Sequence, residues 1–337
     1  MGYRADKEQV EKKLNVIKRV SLGILLLCLV GLCIFSAFVP PTTWKYYVGG
    51  PTISKRKTGE LRIHFLDVWQ GDCSLIELPD GKVMLIDGGG AGSSTERTVL
   101  RYLNALKIDV IDHLVITHSD EDHCGALDLV FKYKKVLNAY LPPSYVPESG
   151  EYADAYAAVM AEKCNVRYST YSLGELGDLA GKYPYSLSFV YPYQYDVDFA
   201  LQYGIEDDNL LSSVVRLDYN GVGALFAADI SFDEENIIMA NDGLGLFQEL
   251  GGSLAGTEIL KVAHHGSANS TSLEWLQYLG VKTAVISCGE NNPYGHPTQE
   301  TLARLFAMEV DVWRTDRDGH VAVTISADGS YKVKKIK

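Results

Sequence analysis

The chain predicts a mixed α/β sandwich preceded by a single membrane-crossing helix, and three observations carry that prediction. Val20 to Val39, reading VSLGILLLCLVGLCIFSAFV, is an uncharged and mostly apolar run of about the length a helix needs to cross a bilayer. Downstream, short strand-like apolar runs alternate with helical patterns. Asp87, His118, Asp229 and His264 each come directly after one of those runs. A sheet built from the runs lines these four residues along one rim, where loops on a rigid scaffold commonly form sites.

Taken in order, Lys12, Lys13, Lys18 and Arg19 crowd the amino-terminal flank of the apolar run. The positive-inside rule then puts residues 1–19 in the cytoplasm, residues 20–39 across the membrane and the remainder outside. The run exceeds the roughly 7 to 15 apolar residues of a signal-peptide core, and no small-x-small cleavage site precedes Pro40-Pro41, so an uncleaved signal anchor is expected. Residues 40–58 form a linker of Pro, Gly, Thr and basic residues. The body, 59–337, opens with strands over Leu61 to Val68 and Ser74 to Leu78, and Pro79-Asp80-Gly81 turns the chain into Lys82 to Ile86. Ser93 with Glu96 resembles a capping box for a helix carrying Val99, Leu100, Leu103 and Leu106. Tyr152 to Lys163 and Gln299 to Met308 are expected to be helical. Strands are expected over His113 to Thr117, Ser212 to Tyr219, Val222 to Ala228, Glu258 to Ala263, Lys282 to Ser287 and His320 to Ile325, with Asn220-Gly221 as a tight turn. Tyr183, Tyr185, Tyr191, Tyr193 and Tyr195 read as a half-buried strand, with a stacking surface as the alternative.

At 337 residues, 47% hydrophobic and 22% charged, the chain buries a sizeable core. A net charge of -12 gives no general pull toward phosphate backbones, so any polyanion must be attracted locally, as bound cations would do. Cys28 and Cys33 lie in the span, and Cys73, Cys124, Cys164 and Cys288 read as free thiols.

Chemistry concentrates in two clusters. Four of the eight histidines are His118, His123, His264 and His265. The first cluster, Thr117-His118-Ser119-Asp120-Glu121-Asp122-His123, alternates imidazole and carboxylate with almost nothing apolar, which makes a poor core and a good ligand set for Zn²⁺ or Mn²⁺.

These residues resemble the metallo-β-lactamase superfamily, whose signature is a strand ending in Asp followed by a His-x-His-x-Asp-His loop. Here the loop is His-x-Asp-x-Asp-His, and Phe65-Leu66-Asp67-Val68-Trp69-Gln70-Gly71-Asp72 stands upstream. That variant is similar to the carboxy-terminal hydrolase domain of the ComEC competence family. Asn209 with Ser212, Ala228-Asp229, Leu260 to Ser267, Asn292 to Pro297 and Thr315-Asp316 extend the resemblance from about Leu61 to Ile325. The resemblance implies an αββα sandwich with two divalent cations at one edge. It makes His118, Asp120, Asp122, His123, Asp229 and His265 the ligands, with Asp229 bridging, and counts Asp122 with His264 as catalytic. His264 is left to act as an acid or to hold a substrate oxygen, although which of His264 and His265 is the ligand stays open. Asp87 orients the ligands from behind. Asn209, Ser267, Asn292, Tyr294 and His296 are candidate substrate contacts, the last three sitting in a loop that reads equally well as a rigid turn.

The loop departs from the superfamily by lacking a histidine between His123 and His264 and by carrying Asp120 in place of the second imidazole. Mn²⁺ therefore competes seriously with Zn²⁺. Asp207, Asp208 or Asn209 is placed to supply the missing contact, and a single weakly held cation is the other possibility. Three functional readings follow. The first is a membrane-anchored, outward-facing phosphodiesterase, with DNA as the substrate that the family suggests. The second keeps the centre but acts on a cell-envelope phosphodiester of choline or teichoic-acid type, or on a lactone or other ester. The third is a binding protein on the same fold. No protein partner is implied.

Overall fold

The computed structural model describes residues 2–205, 208–245 and 253–336. It divides into two compact units, Met1–Gly49 and Gly50–Lys337.

In the first unit one helix, Gly2–Phe38, runs through both the basic flank and the apolar run. Charge changes near residue 19 but helix propensity does not, because Lys, Glu, Ala and Leu all favour helix. Pro40 and Pro41 cannot continue the ladder, and a 3₁₀ turn over Pro41–Tyr46 follows. The Trp44 indole donates to the Val39 carbonyl at 2.9 Å and its ring lies 5.7 Å from that of Phe35, which folds the turn against the helix end. Over Gln9–Phe38 the helix is long and apolar enough to cross a membrane.

The described residues of the second unit form fourteen strands: β1 Leu61–Phe65, β2 Ser74–Glu77, β3 Val83–Ile86, β4 Val110–Val115, β5 Lys135–Leu141, β6 Asn165–Tyr168, β7 Tyr185–Tyr191, β8 Val214–Tyr219, β9 Val222–Phe226, β10 Thr257–Lys261, β11 Thr283–Ile286, β12 Asp311–Arg314, β13 His320–Ile325 and β14 Tyr331–Ile336. They form an eight-stranded sheet in the order β14-β13-β1-β2-β3-β4-β5-β6 and a six-stranded sheet in the order β12-β11-β10-β9-β8-β7. Period-two patterning decides which face each residue takes. Leu61, Ile63 and Phe65 of β1 enter the core between the sheets, where Phe65 meets Phe226 of β9 at 6.0 Å between rings. His64, on the opposite face, is buried between the Tyr102 hydroxyl at 2.8 Å and Glu77 at 3.0 Å.

Helices cover both outer faces. Ser93–Ala105 and Glu151–Glu162 pack Val99, Tyr102, Leu103, Ala155 and Val159 on the first sheet. Phe232–Gly243, Leu273–Leu279 and Gln299–Ala307 pack Ile238, Trp275, Leu276, Leu279 and Leu305 on the second. The αββα layering is the one the sequence reading expected. Two turns follow it closely: Asp80 accepts from the Lys82 amide at 3.0 Å, and Asn220 and Gly221 have φ of 50° and 80° as a tight hairpin turn requires.

Some elements differ. The first body helix has Gly92 at its cap position and Ser93 as its first helical residue, so Ser93 is not the cap. β1 ends at Phe65 rather than Val68, and β4 begins at Val110 rather than His113. Strands β5, β6, β12 and β14 and the helix Phe232–Gly243 were not anticipated, although Ser231 and Glu234 form a capping box at that helix. Part of the tyrosine run is a strand: Tyr185 and Tyr191 are buried in β7, Tyr193 is buried beyond it, and Tyr195 is 53% exposed. All six cysteines are unpaired, and Cys73, Cys124 and Cys288 are buried.

Candidate metal centre

β3 and β4 run parallel, as do β9 and β10, so the carboxyl ends of both pairs open on one edge. Asp87 follows β3, His118 follows β4, Asp229 follows β9, and His264 and His265 follow β10. Backbone bonds tie each pair: the Asp87 amide donates to Val115 and the His264 amide to Ala228, both at 2.9 Å. Asp120 leads into a single helical turn, Glu121–Cys124, which carries Asp122 and His123. The loop after β1 packs on that turn through the Asp72 amide, which donates to the Asp122 carbonyl at 3.0 Å. Only glycine permits this approach at position 71, where φ is +125° and a Cβ would stand 2.1 Å from that carbonyl oxygen.

The two clusters meet. His123 Nε2 lies 3.4 Å from His265 Nε2. The carboxylate of Asp229 reaches both, with Oδ1 3.3 Å from His123 Nε2 and Oδ2 3.3 Å from His265 Nε2, while Asp122 Oδ2 stands 3.1 Å from His265 Nε2. Behind the rings, His123 Nδ1 donates to Asp87 Oδ2 at 2.8 Å and His265 Nδ1 to the Ser287 carbonyl at 2.9 Å. Those bonds hold a proton on each Nδ1, so Nε2 is the nitrogen turned toward the shared carboxylates and the one each ring can offer to a cation. Asp87 also accepts from the Thr117 amide at 2.9 Å and hydroxyl at 2.8 Å, so it ties the His118 strand end to the His123 ring.

His118 is fully buried, its ring 4.0 Å from that of His123, and its Nε2 has no hydrogen-bond partner among the described residues. Asp120 Oδ2 is 3.7 Å from that nitrogen. His264 Nε2 lies 3.8 Å from Asp229 Oδ2, with its side chain 34% exposed, so it stands at the mouth while His265 lies inside.

Charge follows this packing. Burial pushes Asp229 up, but His265 and His123 outweigh it and hold the carboxyl well below the usual range. Asp122 is likewise lowered, burial being overcome by His265 and His123. Burial depresses His123 and His265, but Asp229 and Asp72 carry both imidazoles well above 6.5, with Asp87 adding at His123 and Asp122 at His265. Converging imidazole nitrogens and carboxylates, with one buried imidazole nitrogen left unpartnered, fit divalent cations by donor type and by arrangement.

The remaining candidates are scattered. Asn209 lies in the turn Asp208–Leu211, and the Ser213 amide donates to the Thr117 carbonyl at 2.9 Å, which brings that turn beside the His118 strand end. The contact expected of Asp207 or Asp208 falls outside the described residues and side chains. Ser267 Oγ accepts from the Asn269 amide at 3.5 Å within its own turn. Asn292 braces its own turn: its amide donates to the Gly289 and His296 carbonyls, and its oxygen accepts from the Tyr294 and His296 amides at 3.2 and 3.1 Å. His296 does reach the centre, its ring 5.7 Å from that of His264, with Tyr294 stacked 5.8 Å away. Burial, with His265 and His264 adding to it, brings the His296 imidazole down to about 4.

Two residues without a role in the sequence reading belong to the centre. Asp72 is buried, and with His123, Asp229 and His265 it offers atoms all within 4.8 Å of one another. Its oxygens, however, face the Nδ1 sides of the rings, 3.4 Å from His265 Nδ1 and 3.9 Å from His123 Nδ1. Lys261, the last residue of β10, is buried against Asp72 Oδ2. The available signal was a lone lysine inside the apolar run Ile259 to Ala263.

The layered fold and this imidazole–carboxylate edge define a metal-dependent hydrolase class. A sequence profile of the metallo-beta-lactamase superfamily matches residues 66–290, and the chain belongs to that superfamily. The chain's relatives include a protein named competence protein ComA, of Neisseria gonorrhoeae, 25% identical over 82% of this chain and 34% of that protein. ComE operon protein 3 of Bacillus subtilis (strain 168) is 28% identical over 279 residues, which cover 78% of this chain and 33% of that protein. Recombination protein 2 of Haemophilus influenzae is 26% identical over 321 residues, covering 94% of this chain and 33% of that protein. The chain thus spans about a third of the length of the curated relatives it matches, and its body is a ComEC-type metallo-β-lactamase domain. Among solved structures, the metallo-beta-lactamase fold protein YhfI from Bacillus subtilis aligns over 81% of this chain and 99% of its own at a TM-score of 0.46 and 11% identity.

Proposed function

We propose that this chain is a membrane-anchored, outward-facing metallohydrolase that cleaves phosphodiesters, with DNA as its substrate. The observation that carries the reading is the meeting of His123 Nε2 and His265 Nε2, from loops far apart in sequence, on the carboxylates of Asp122 and Asp229. In this reading His118, Asp120, Asp122, His123, Asp229 and His265 would hold the cations. Zn²⁺ and Mn²⁺ both suit the mixed nitrogen and oxygen set. Divalent cations bound there supply Lewis acidity and an acidified water.

The chain's own residues do the rest. Asp87 and the Ser287 carbonyl hold His123 and His265 as Nδ1–H tautomers, so Nε2 stays a lone-pair donor. His264, at the mouth and 3.8 Å from Asp229, is placed to give a proton to the leaving oxygen. His296 and Tyr294 form the facing wall. Residues 1–19 lie in the cytoplasm, 20–39 span the membrane, 40–58 link, and 59–337 form the catalytic body. The names of the relatives, a competence protein and a recombination protein among them, support nucleic acid as the substrate.

One observation favours a cell-envelope phosphodiester instead. A cavity of about 540 Å³ opens beside Ser119 and is lined by Pro143, Tyr145, Pro147, Leu201 and Leu211, with no lysine or arginine among its described lining residues. Such a wall suits an uncharged organic group better than a phosphate backbone. Incubating the full-length chain with plasmid, oligonucleotides, bis-nitrophenyl phosphate, choline phosphoesters and lactones, with and without Mn²⁺, separates the readings. Metal-dependent cleavage of DNA that disappears in Asp122→Ala is the expected result. Equal activity in that variant removes the assigned site, and turnover of choline esters alone transfers the function to the cell envelope.

A further inference from the structure

Lys261 is about 2% exposed, and its ammonium meets Asp72 Oδ2 behind the rings of His123 and His265. Asp72, Asp87, Thr117, Ala228 and Lys261 line one small internal space together with Ser74 and Phe226, too small for anything beyond their own side chains. A buried lysine so near a cation site is costly, since like charges repel strongly in a medium of low polarity. A carboxylate in the same place, left unneutralised, would instead draw cations toward itself. The geometry points to Lys261 as a positioning residue: by neutralising Asp72 it holds that carboxylate behind the imidazoles and out of the ligand set, and so lowers the affinity of the centre and limits how many cations it takes. This inference rests on the metal-centre reading above.

Two features support it. First, Asp72 touches only the Nδ1 sides of the rings, while the close carboxylate contacts to Nε2 of His123 and His265 among the described residues come from Asp122 and Asp229. Second, the pair is held from both ends: the Asp72 amide donates to the Asp122 carbonyl and its carbonyl accepts from the Gly89 amide at 2.7 Å, while Lys261 sits in a strand paired on both sides. Neither partner can leave without moving the loop that carries Asp122 or the strand that leads to His265.

The test is a charge cycle read as metal binding by the full-length chain in detergent, using Mn²⁺ and Zn²⁺ in competition with a chromophoric chelator. Lys261→Met frees Asp72 and is expected to tighten binding about tenfold or to add a bound cation per chain. Asp72→Asn leaves Lys261 unpaired and is expected to weaken binding about 10- to 100-fold, the range for a residue that acts through the ligands. The double variant D72N/K261M removes both charges and is expected to return within about threefold of the wild type. It also keeps the test decisive where a single variant does not fold. Unchanged or weaker binding in Lys261→Met, or loss of all binding in the double variant, overturns the inference. A wild-type chain that binds neither cation overturns the metal-centre reading itself, and the inference with it.

Discussion

Asp87, Ala228, His264 and His265 all hold positive φ, between 47° and 59°, although none is glycine. A non-glycine residue in that region costs about 1–3 kcal/mol and persists where the surroundings over-determine it. Here the strain turns the ends of three strands, β3, β9 and β10, inward at one edge, which brings Asp87, Asp229 and His265 to one centre with His264 at its mouth. The protonation of His123, His265, Asp122 and Asp229 sets a clear pH dependence. In the metal-free protein His123 and His265 have raised pKa values, so their contribution to stability is complete below about 6.5 and is lost as pH rises through the raised values. Asp122 and Asp229 are depressed, so theirs is complete above about 3.8 and is lost as pH falls through the lowered values. Chelator-treated protein should therefore melt at a higher temperature at pH 5.5 than at pH 9. Saturating Mn²⁺ or Zn²⁺ should reverse that order, because only neutral imidazole binds a cation. Calorimetry at the two pH values checks both halves, and a metal-free Tm that climbs to pH 9 contradicts the electrostatics described.

At the scale of the element, the site depends on how closely the loop after β1 approaches the turn Glu121–Cys124. Gly71→Ala brings a Cβ against the Asp122 carbonyl at a φ that alanine resists. A loss of about 2–4 kcal/mol is expected from clash and backbone strain together, with weakened metal binding because Asp122 rides on the displaced turn. Denaturant titration and metal titration of one preparation measure the two effects, and a variant equal to the wild type in both would show that the loops do not depend on each other. Element recognition from sequence varied for identifiable reasons. β1, β3, β9 and β10 are buried runs bounded by turn residues or by the polar motifs, and their patterns are strong. β6 is a short edge strand with every residue exposed, so no apolar pattern marks it. β14 does alternate, with Tyr331 and Val333 less exposed than Lys332 and Lys334, but its lysines mask the pattern as a charged tail.

For the whole molecule, the net charge of -12 and the apolar helix pull the functional reading in different directions. The charge opposes general adhesion to polyanions, so engagement of DNA has to rely on cations at the edge of the sandwich. The helix argues for life at a membrane. In cells expressing the chain, it should stay in the membrane pellet after alkaline carbonate washing, and protease added outside should digest the body while sparing a cytoplasmic amino-terminal tag. Release by carbonate, or protection of the body, contradicts the anchored, outward-facing arrangement.

Much of this protein was readable before any coordinates. The His-x-Asp-x-Asp-His loop, the His-His-Gly-Ser segment and the apolar span are local patterns, and local patterns express themselves in neighbouring residues. Which histidine of the His264–His265 pair turns inward, how Asn292 uses its amide, and the pairing of Asp72 with Lys261 were not readable. Each depends on a contact between segments that no spacing relates, or on a φ angle that the residue type disfavours. Such features arise only when two sheets close on each other and burial forces every polar group to find its partner.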